Sequence, residues 1–400
     1  MASESSETTA TVDRSADARN RDGVEQPQIR IEERKFTLID FLRTCIKLNG
    51  SDVHLQAQSV PMIRVDGRPK FLDCPPLPDE WMTEYVDEII NVQAEPKEKR
   101  DILEHKGSVD IAFPMPDKSA RFRTNIFHSR ERFAIVMRRI VTKIPNFEEL
   151  KLPPQVEELA DHQRGIVIVS GTTGSGKSTS LAAIIGKINR TRSERIITVE
   201  DPVEYQHENA KSLVSQVEVG SDSESYEYAL RAMMRQDPDV ILIGEIRDSF
   251  SLTTALRAAD TGHMVYTTVH ATNAPMTVER MVSLFQADQK GLQQTQLGLN
   301  LVAVMTQRLA KKRDGKGRVP VIELMMATPL VRKYILEGEF EKLKACVGQR
   351  ESGSQSFDQH LTDLFQRQII DVSEARRLAS NQDALNLALR GISNSDTKLR

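Results

Sequence analysis

The chain has 400 residues, 39% of them apolar and 28% charged, with a formal net charge of −3. This is the balance of a soluble globular protein with room for two domains, and it lacks the basic excess of a nucleic-acid binder. Cys45, Cys74 and Cys346 are far apart and form no C-x-x-C pair, which argues against a zinc ribbon or disulfide framework and fits a reducing compartment. No apolar run approaches the roughly 18 residues of a spanning helix, and the N-terminal stretch has no signal-peptide core. The expectation is a cytoplasmic protein that meets a membrane only through partners, without direct insertion.

Residues 1–34 are rich in Ser, Thr, charge and small side chains, with no aromatic residue before Phe36. Such a segment buries too little surface to offset its ordering entropy, so a disordered tail is expected. From 35 the period becomes helical, with Phe36, Ile39, Leu42, Cys45 and Ile46 on one face. Extended segments "DVHLQ" and "PMIRVDGRPKFL" follow, then a helical stretch from about Asp79 to Glu104, then strands "ARFRTNIFHS" and "RFAIVMRRI". Together these predict a small α+β domain over 35–142. Prolines at 145, 153 and 154 mark 143–155 as a linker. Beyond it, apolar strands "GIVIVS", "RIITVE", "DVILIGE" and "HMVYTTVH" alternate with helical patterns, which predicts a parallel sheet covered on both faces. This second domain is expected over 156–376. After about 290 it reads as mainly helical, broken by a hairpin at "KKRDGKGRVPVIELM", and 377–400 reads as a C-terminal tail.

The stretch "GTTGSGKST" fits G-x-x-x-x-G-K-[ST], between a strand and a helix. Gly171, Thr172, Thr173, Gly174, Ser175, Gly176, Lys177, Ser178 and Thr179 are the candidate ATP-binding residues. Glycines let backbone N–H groups turn inward around phosphate, and the helix N-terminus adds partial positive charge. Lys177 is expected to bridge the β- and γ-phosphates, and the Ser178 hydroxyl to ligate Mg²⁺.

Ligands of an open parallel sheet bind beyond the carboxyl ends of its strands. Here those ends carry the phosphate loop, Glu200 with Glu204 just beyond, Glu245, and His270. Phosphoryl transfer needs one carboxylate for the Mg²⁺ shell and one to orient or deprotonate water. Glu245 closes a strand in the Walker-B position and suits the metal. Glu204 is favoured over Glu200 and Asp201 as the base. His270 is either a satisfied strand-end histidine or a γ-phosphate sensor. Six arginines, 121, 123, 130, 132, 138 and 139, fall between Arg121 and Arg139, on the last two strands of the small domain and the turn between them. Arg130 and Arg132 fit a solvated sheet face. The others could form an RNA-binding face, with thin aromatic interleaving, or arginine fingers worth about 10³ or more in rate. Arg121 and Arg123 share one side of their strand.

"GTTGSGKSTSLAA", "ITVEDPVEY", "RQDPDVILIGEIRD" and "TGHMVYTTVHATNA" resemble the Walker A, Asp-box, Walker B and His-box motifs of the secretion ATPases. "GSDVHLQ", "ARFRTNIF" and "VMRRI" are similar to the PAS-like N-terminal domain of the PilT/PilU branch, and the likeness runs from about 36 to 393. Extension motors of the GspE and PilB type carry a four-cysteine zinc element that is missing here. Where the PilT pattern has "AIRNLI", this chain has "LVRKYI", a departure that favours the PilU-like side. The resemblance implies a RecA-like ATPase domain with a parallel sheet, preceded by a PAS-like domain. It also implies an ATP- and Mg²⁺-dependent homo-hexamer, peripheral at the inner membrane through a pilus platform protein, in which a PilT paralogue could assist. It places Lys177 and Ser178 in Walker A, Glu204 as general base, Glu245 as the Walker-B acid, His263 and His270 in the His box, and Arg121, Arg123 and Arg138 or Arg139 as fingers. The expected outcome is pilus retraction without nucleic acid. The alternatives are a secretion motor of the DotB kind, a nucleic-acid translocase, and a ring subunit that binds nucleotide without turnover.

Overall fold

The computed structural model describes residues 36–389 apart from Asp66, Ala94, Lys118, Ser119 and 141–143. The stretch 1–34 expected to be disordered, Asp66 of the extended segment "PMIRVDGRPKFL" and the end of the expected C-terminal tail therefore lie outside the described residues.

The first helix, Leu38–Lys47, starts where Thr37 and Asp40 cap each other: the Thr37 hydroxyl accepts from the Asp40 N–H, and the Asp40 carboxylate accepts from the Thr37 N–H. Its fully buried stripe is Leu38, Phe41, Leu42 and Cys45. Phe36, Ile39 and Ile46 flank that stripe and are only partly covered, so the face is turned slightly from the one expected. Behind it lies a six-stranded antiparallel sheet of β1 (Asp52–Gln56), β2 (Met62–Val65), β3 (Arg68–Phe71), β4 (Ser108–Pro114), β5 (Arg121–Ser129) and β6 (Arg132–Ile140), in the order β3-β2-β1-β6-β5-β4. The helical stretch expected from Asp79 to Glu104 is two helices, Asp79–Asn91 and Pro96–Lys106. Pro96 explains the break, because its ring cannot sit in a helix interior but suits a first turn.

After a short helix at Phe147–Leu150, capped by Asn146, the second sheet begins. It contains β7 (Gly165–Ser170), β8 (Arg195–Glu200), β9 (Leu213–Glu218), β10 (Val240–Ile243), β11 (Met264–Val269), β12 (Leu301–Lys311) and β13 (Arg318–Met326). The order is β13-β12-β7-β11-β10-β8-β9, parallel throughout except for the β12–β13 hairpin. All six residues of β7 and of β11 are buried. Alternate side chains of β7 feed two cores: Ile166 and Ile168 pack on one face with Leu252, Leu256 and Val278, while Val167 and Val169 pack on the other with Ile184 and Ile188.

Two parts of the sequence behave otherwise than their patterns suggest. "LVAVMTQRLAK" is not helical: it is β12, which lies parallel to β7 and pairs Thr306 with Ser170. Residues 382–389, expected to be tail, form the helix Gln382–Leu389, whose Leu385 is fully buried with Phe357, Leu361 and Leu364 against β12 and β13.

Candidate nucleotide site

The phosphate loop leaves β7 at Gly171 and re-enters regular structure at Lys177, the first residue of the helix Lys177–Thr191. Gly174 and Gly176 have φ of 74° and 87°, a region open to glycine at little cost. A Cβ on Gly171 would lie 2.5 Å from both the Gln307 carbonyl oxygen and Ser175 Oγ, so no side chain fits there. Thr172, Thr173 and Gly174 are exposed, Ser178 and Thr179 half-buried, and Ser175 and Lys177 buried. Lys177 Nζ donates to the Gly171 and Thr172 carbonyls at 3.0 and 3.2 Å. Burial lowers its pKa, with Glu204 and Glu245 acting in the opposite sense.

The loop forms one wall of a cleft of about 830 Å³ that also receives Glu200, Glu204, Glu245 and His270. Glu245 follows the end of β10 and His270 follows β11, as the strand-end reading requires. His270 Nε2 lies 3.4 Å from Glu245 Oε2, and Arg247 Nε donates to Glu245 Oε1. Burial alone would raise the Glu245 pKa, but Arg247 and His270 outweigh it and hold the carboxyl below its ordinary value. Arg247 also donates to Asp201 at 3.1 Å. Glu200 differs from Glu204. It accepts from Thr198 Oγ1 at 2.7 Å and Gln216 Nε2 at 3.1 Å, and burial raises its pKa. Glu204 is exposed in the cleft, and its charge acts on Lys177, as that of Glu245 does. His263 stands apart. It precedes β11, at the opposite edge of the sheet, where Nδ1 lies 2.9 Å from the Ala258 carbonyl.

From the small domain, Arg138 reaches the cleft with Asn49 and Ser51, tethered by its Nε to buried Asp52 at 2.8 Å. Arg121 and Arg123 do not line this protomer's cleft; they sit half-buried on β5, with Arg123 Nε 3.8 Å from Asp110. Arg132 lies 3.7 Å from Asp79 at the surface.

Four further residues shape the site. Arg247 is two positions beyond Glu245 in "GEIRD", a spacing the sequence reading left unused. Tyr226 donates its hydroxyl proton to the Glu245 carbonyl at 2.7 Å and lies under the Arg247 guanidinium, 5.1 Å from ring centre to carbon. Tyr205, the final residue of "EDPVEY", bonds Thr179 at 2.8 Å and so ties the loop carrying Glu204 to the phosphate-loop helix. Gln307 sits on β12, and a helical reading of that segment hid it.

A buried ammonium at a helix N-terminus, glycines at positive φ and carboxylates across the cleft make a donor set suited to a polyphosphate carrying a divalent cation. A divalent cation in this cleft would draw most of its ligands from phosphate and water, since among the described residues no group of three His, Cys, Asp or Glu side chains could hold a metal ion.

The family model described as "Type II/IV secretion system protein" matches residues 86–333. The type IV pilus ATPase PilU of Pseudomonas aeruginosa is 40% identical over 357 residues, covering 89% of this chain and 92% of that protein. The pilus retraction ATPase PilT of the same organism is 38% identical over 343 residues, covering 86% and 98%. Among solved structures, the pilus retraction motor PilT with bound ADP superposes with a TM-score of 0.78 at 36% identity, covering 87% of this chain and 98% of that one. The ATPase DotB of Legionella pneumophila gives 0.74 at 25% identity, covering 88% and 97%. The chain therefore belongs to the type II/IV secretion system protein family, in the branch of the PilU and PilT pilus ATPases.

Proposed function

We propose that this chain is a motor subunit that hydrolyses ATP in the cleft between its two domains and uses the energy to retract type IV pili. The observation that carries the proposal is the meeting of Lys177, Glu204, Glu245 and His270 in a single cleft, in a chain that is 40% identical to a pilus ATPase. The retraction reading has more support than secretion of the DotB kind, because identity is 36% to the PilT structure and 25% to DotB.

The loop amides and Lys177 bind the phosphates. Ser178 and Glu245 would hold Mg²⁺, which would neutralise phosphate charge when bound. Glu245 is kept ionised for that role by Arg247 and His270. Glu204 takes the proton of the attacking water. It suits this role better than Glu200, which is committed to Thr198 and Gln216. Arg138 faces the cleft of its own chain, and Arg121 and Arg123 are assigned to the cleft of a neighbour in a homo-hexameric ring. Among the described residues no helix is long and apolar enough to cross a membrane, so contact with the inner membrane is assigned to a platform protein.

Imaging labelled pili in cells lacking the chain, with and without a PilT relative, tests the function. Retraction that slows or stops on deletion, and returns with the parent gene but not with Lys177→Ala, is expected. Unchanged retraction in both backgrounds would refute it.

A further inference from the structure

Gln307 is a polar side chain only 2% exposed, on the strand beside the phosphate-loop strand. The β12–β7 register pairs Thr306 with Ser170, so Gln307 stands level with Gly171, where the loop begins. Its Nε2 donates to the Ser175 carbonyl at 2.7 Å, and its Oε1 accepts from Ser180 Oγ at 2.7 Å. The Ser175 carbonyl can only accept, which fixes the orientation of the amide. One planar group thus pins both ends of the turn into the helix: the last part of the loop at Ser175, and the first helical turn at Ser180. Gly176 lies between them with its own constraint, since a Cβ there would come within 2.7 Å of Gln307 Nε2. The strand backbone adds a further contact, because the Gln307 carbonyl is one of the two atoms that a Cβ on Gly171 would strike.

We propose that Gln307 is a positioning residue that sets the phosphate-loop conformation from the neighbouring strand, so that Lys177 and the loop amides are aligned for the phosphates before nucleotide arrives. A buried amide in this place is expensive unless both its donor and its acceptor are used. Here both are used, one on the loop at Ser175 and one on the helix it leads into at Ser180. Two bonds from one rigid plane restrict the Ser175–Gly176 peptide and the start of the helix together, which is how backbone donors are preorganised for a charged ligand. Gln307 lines the cleft wall behind the loop, and its proposed effect passes through the loop rather than through the reacting atoms.

The proposal rests on the reading of the cleft as an ATP site, and the test separates the two. Full-length parent, Gln307→Leu, Ser180→Ala and the double variant are compared by hydrogen exchange over residues 171–181 without nucleotide, and by steady-state Mg-ATP hydrolysis. Faster loop exchange is expected in Gln307→Leu, with KM for Mg-ATP raised about tenfold or more, beyond any fall in kcat. A smaller change of the same kind is expected in Ser180→Ala, and in the double variant no more than in Gln307→Leu alone. If Gln307→Leu does not fold, Ser180→Ala alone decides through the same two readouts. Parent-like loop exchange and parent-like KM in the folded variants would overturn the proposal. A parent chain without turnover would defeat the hydrolysis reading, and loop exchange would then decide the role of Gln307 alone.

Discussion

At the scale of single residues the site divides into groups that bind and groups that tune. Lys177 is buried among backbone carbonyls and carboxylates, so its ammonium has no substitute: Lys177→Ala is expected to abolish ATP hydrolysis and weaken nucleotide binding, measurable by phosphate release and a fluorescent ATP analogue. Arg247 tunes Glu245. Because Arg247 and His270 hold the Glu245 pKa below its ordinary value, the carboxylate stays ionised until the pH falls well into the acid range. In Arg247→Ala the carboxyl becomes easier to protonate, so the acidic limb of the kcat/KM profile should move to higher pH. An unshifted limb would separate Glu245 from Arg247. The strand-end residues were legible because chemistry at the carboxyl edge of a parallel sheet follows from the strand pattern alone. Tyr226 was not, since its hydroxyl reaches the Glu245 backbone from another helix and leaves no spacing signature.

At the scale of elements, two buried titratable groups join strands to their surroundings, with opposite chemistry and a shared sense of pH. Asp52 on β1 is 5% exposed and is bonded by Arg138 on β6 and by Ser51. Burial would raise its pKa, yet those partners lower it overall. Its contribution to stability is therefore present above the unfolded pKa near 4 and lost as pH falls through the lower folded value. Asp52→Ala should cost about 1–2 kcal/mol, limited because Arg138 can turn to water, and chemical denaturation at pH 7 would measure it. His360, in the helix Phe357–Gln366, accepts from the Ile322 N–H at 2.9 Å through Nδ1. Burial pushes its pKa down to about 4. The neutral ring is the folded form, so its stabilisation is complete above about 6.5 and fades as pH drops toward 4, by about 3 kcal/mol at about 1.4 per unit. An NMR titration should find His360 uncharged at pH 5.5, and protonation there would contradict the packing. The helix Leu38–Lys47 and the strands β5, β7, β10 and β11 were legible from period and burial. β12 was misread because a continuous apolar run has no period of its own, and only its pairing with β7 decides between helix and strand. β9, a half-exposed edge strand, carried too little alternation to be seen.

At the scale of the whole molecule, the two-domain α/β architecture was legible because an α+β pattern gives way to strands alternating with helices. How the domains meet was not, since Arg138 and Asn49 reach the cleft through tertiary placement rather than sequence spacing. Arg121 and Arg123 lie off the cleft of their own chain, which gives the ring proposal a direct consequence. If they serve a neighbour, chains carrying Arg123→Ala and chains carrying Glu204→Gln, each inactive alone, should regain part of the turnover when mixed, because some contacts then pair an intact arginine with an intact glutamate. No recovery in co-assembled rings would contradict action across subunits. The central claim is that these residues form one ATP-hydrolysing centre with Glu204 as its base. Its most direct test is ATP turnover and nucleotide affinity of the full-length chain beside Glu204→Gln. Affinity within a few-fold of the parent and turnover lower by about 10²–10⁴ is the predicted result. Parent-like turnover in Glu204→Gln would contradict it and move the base to Glu200.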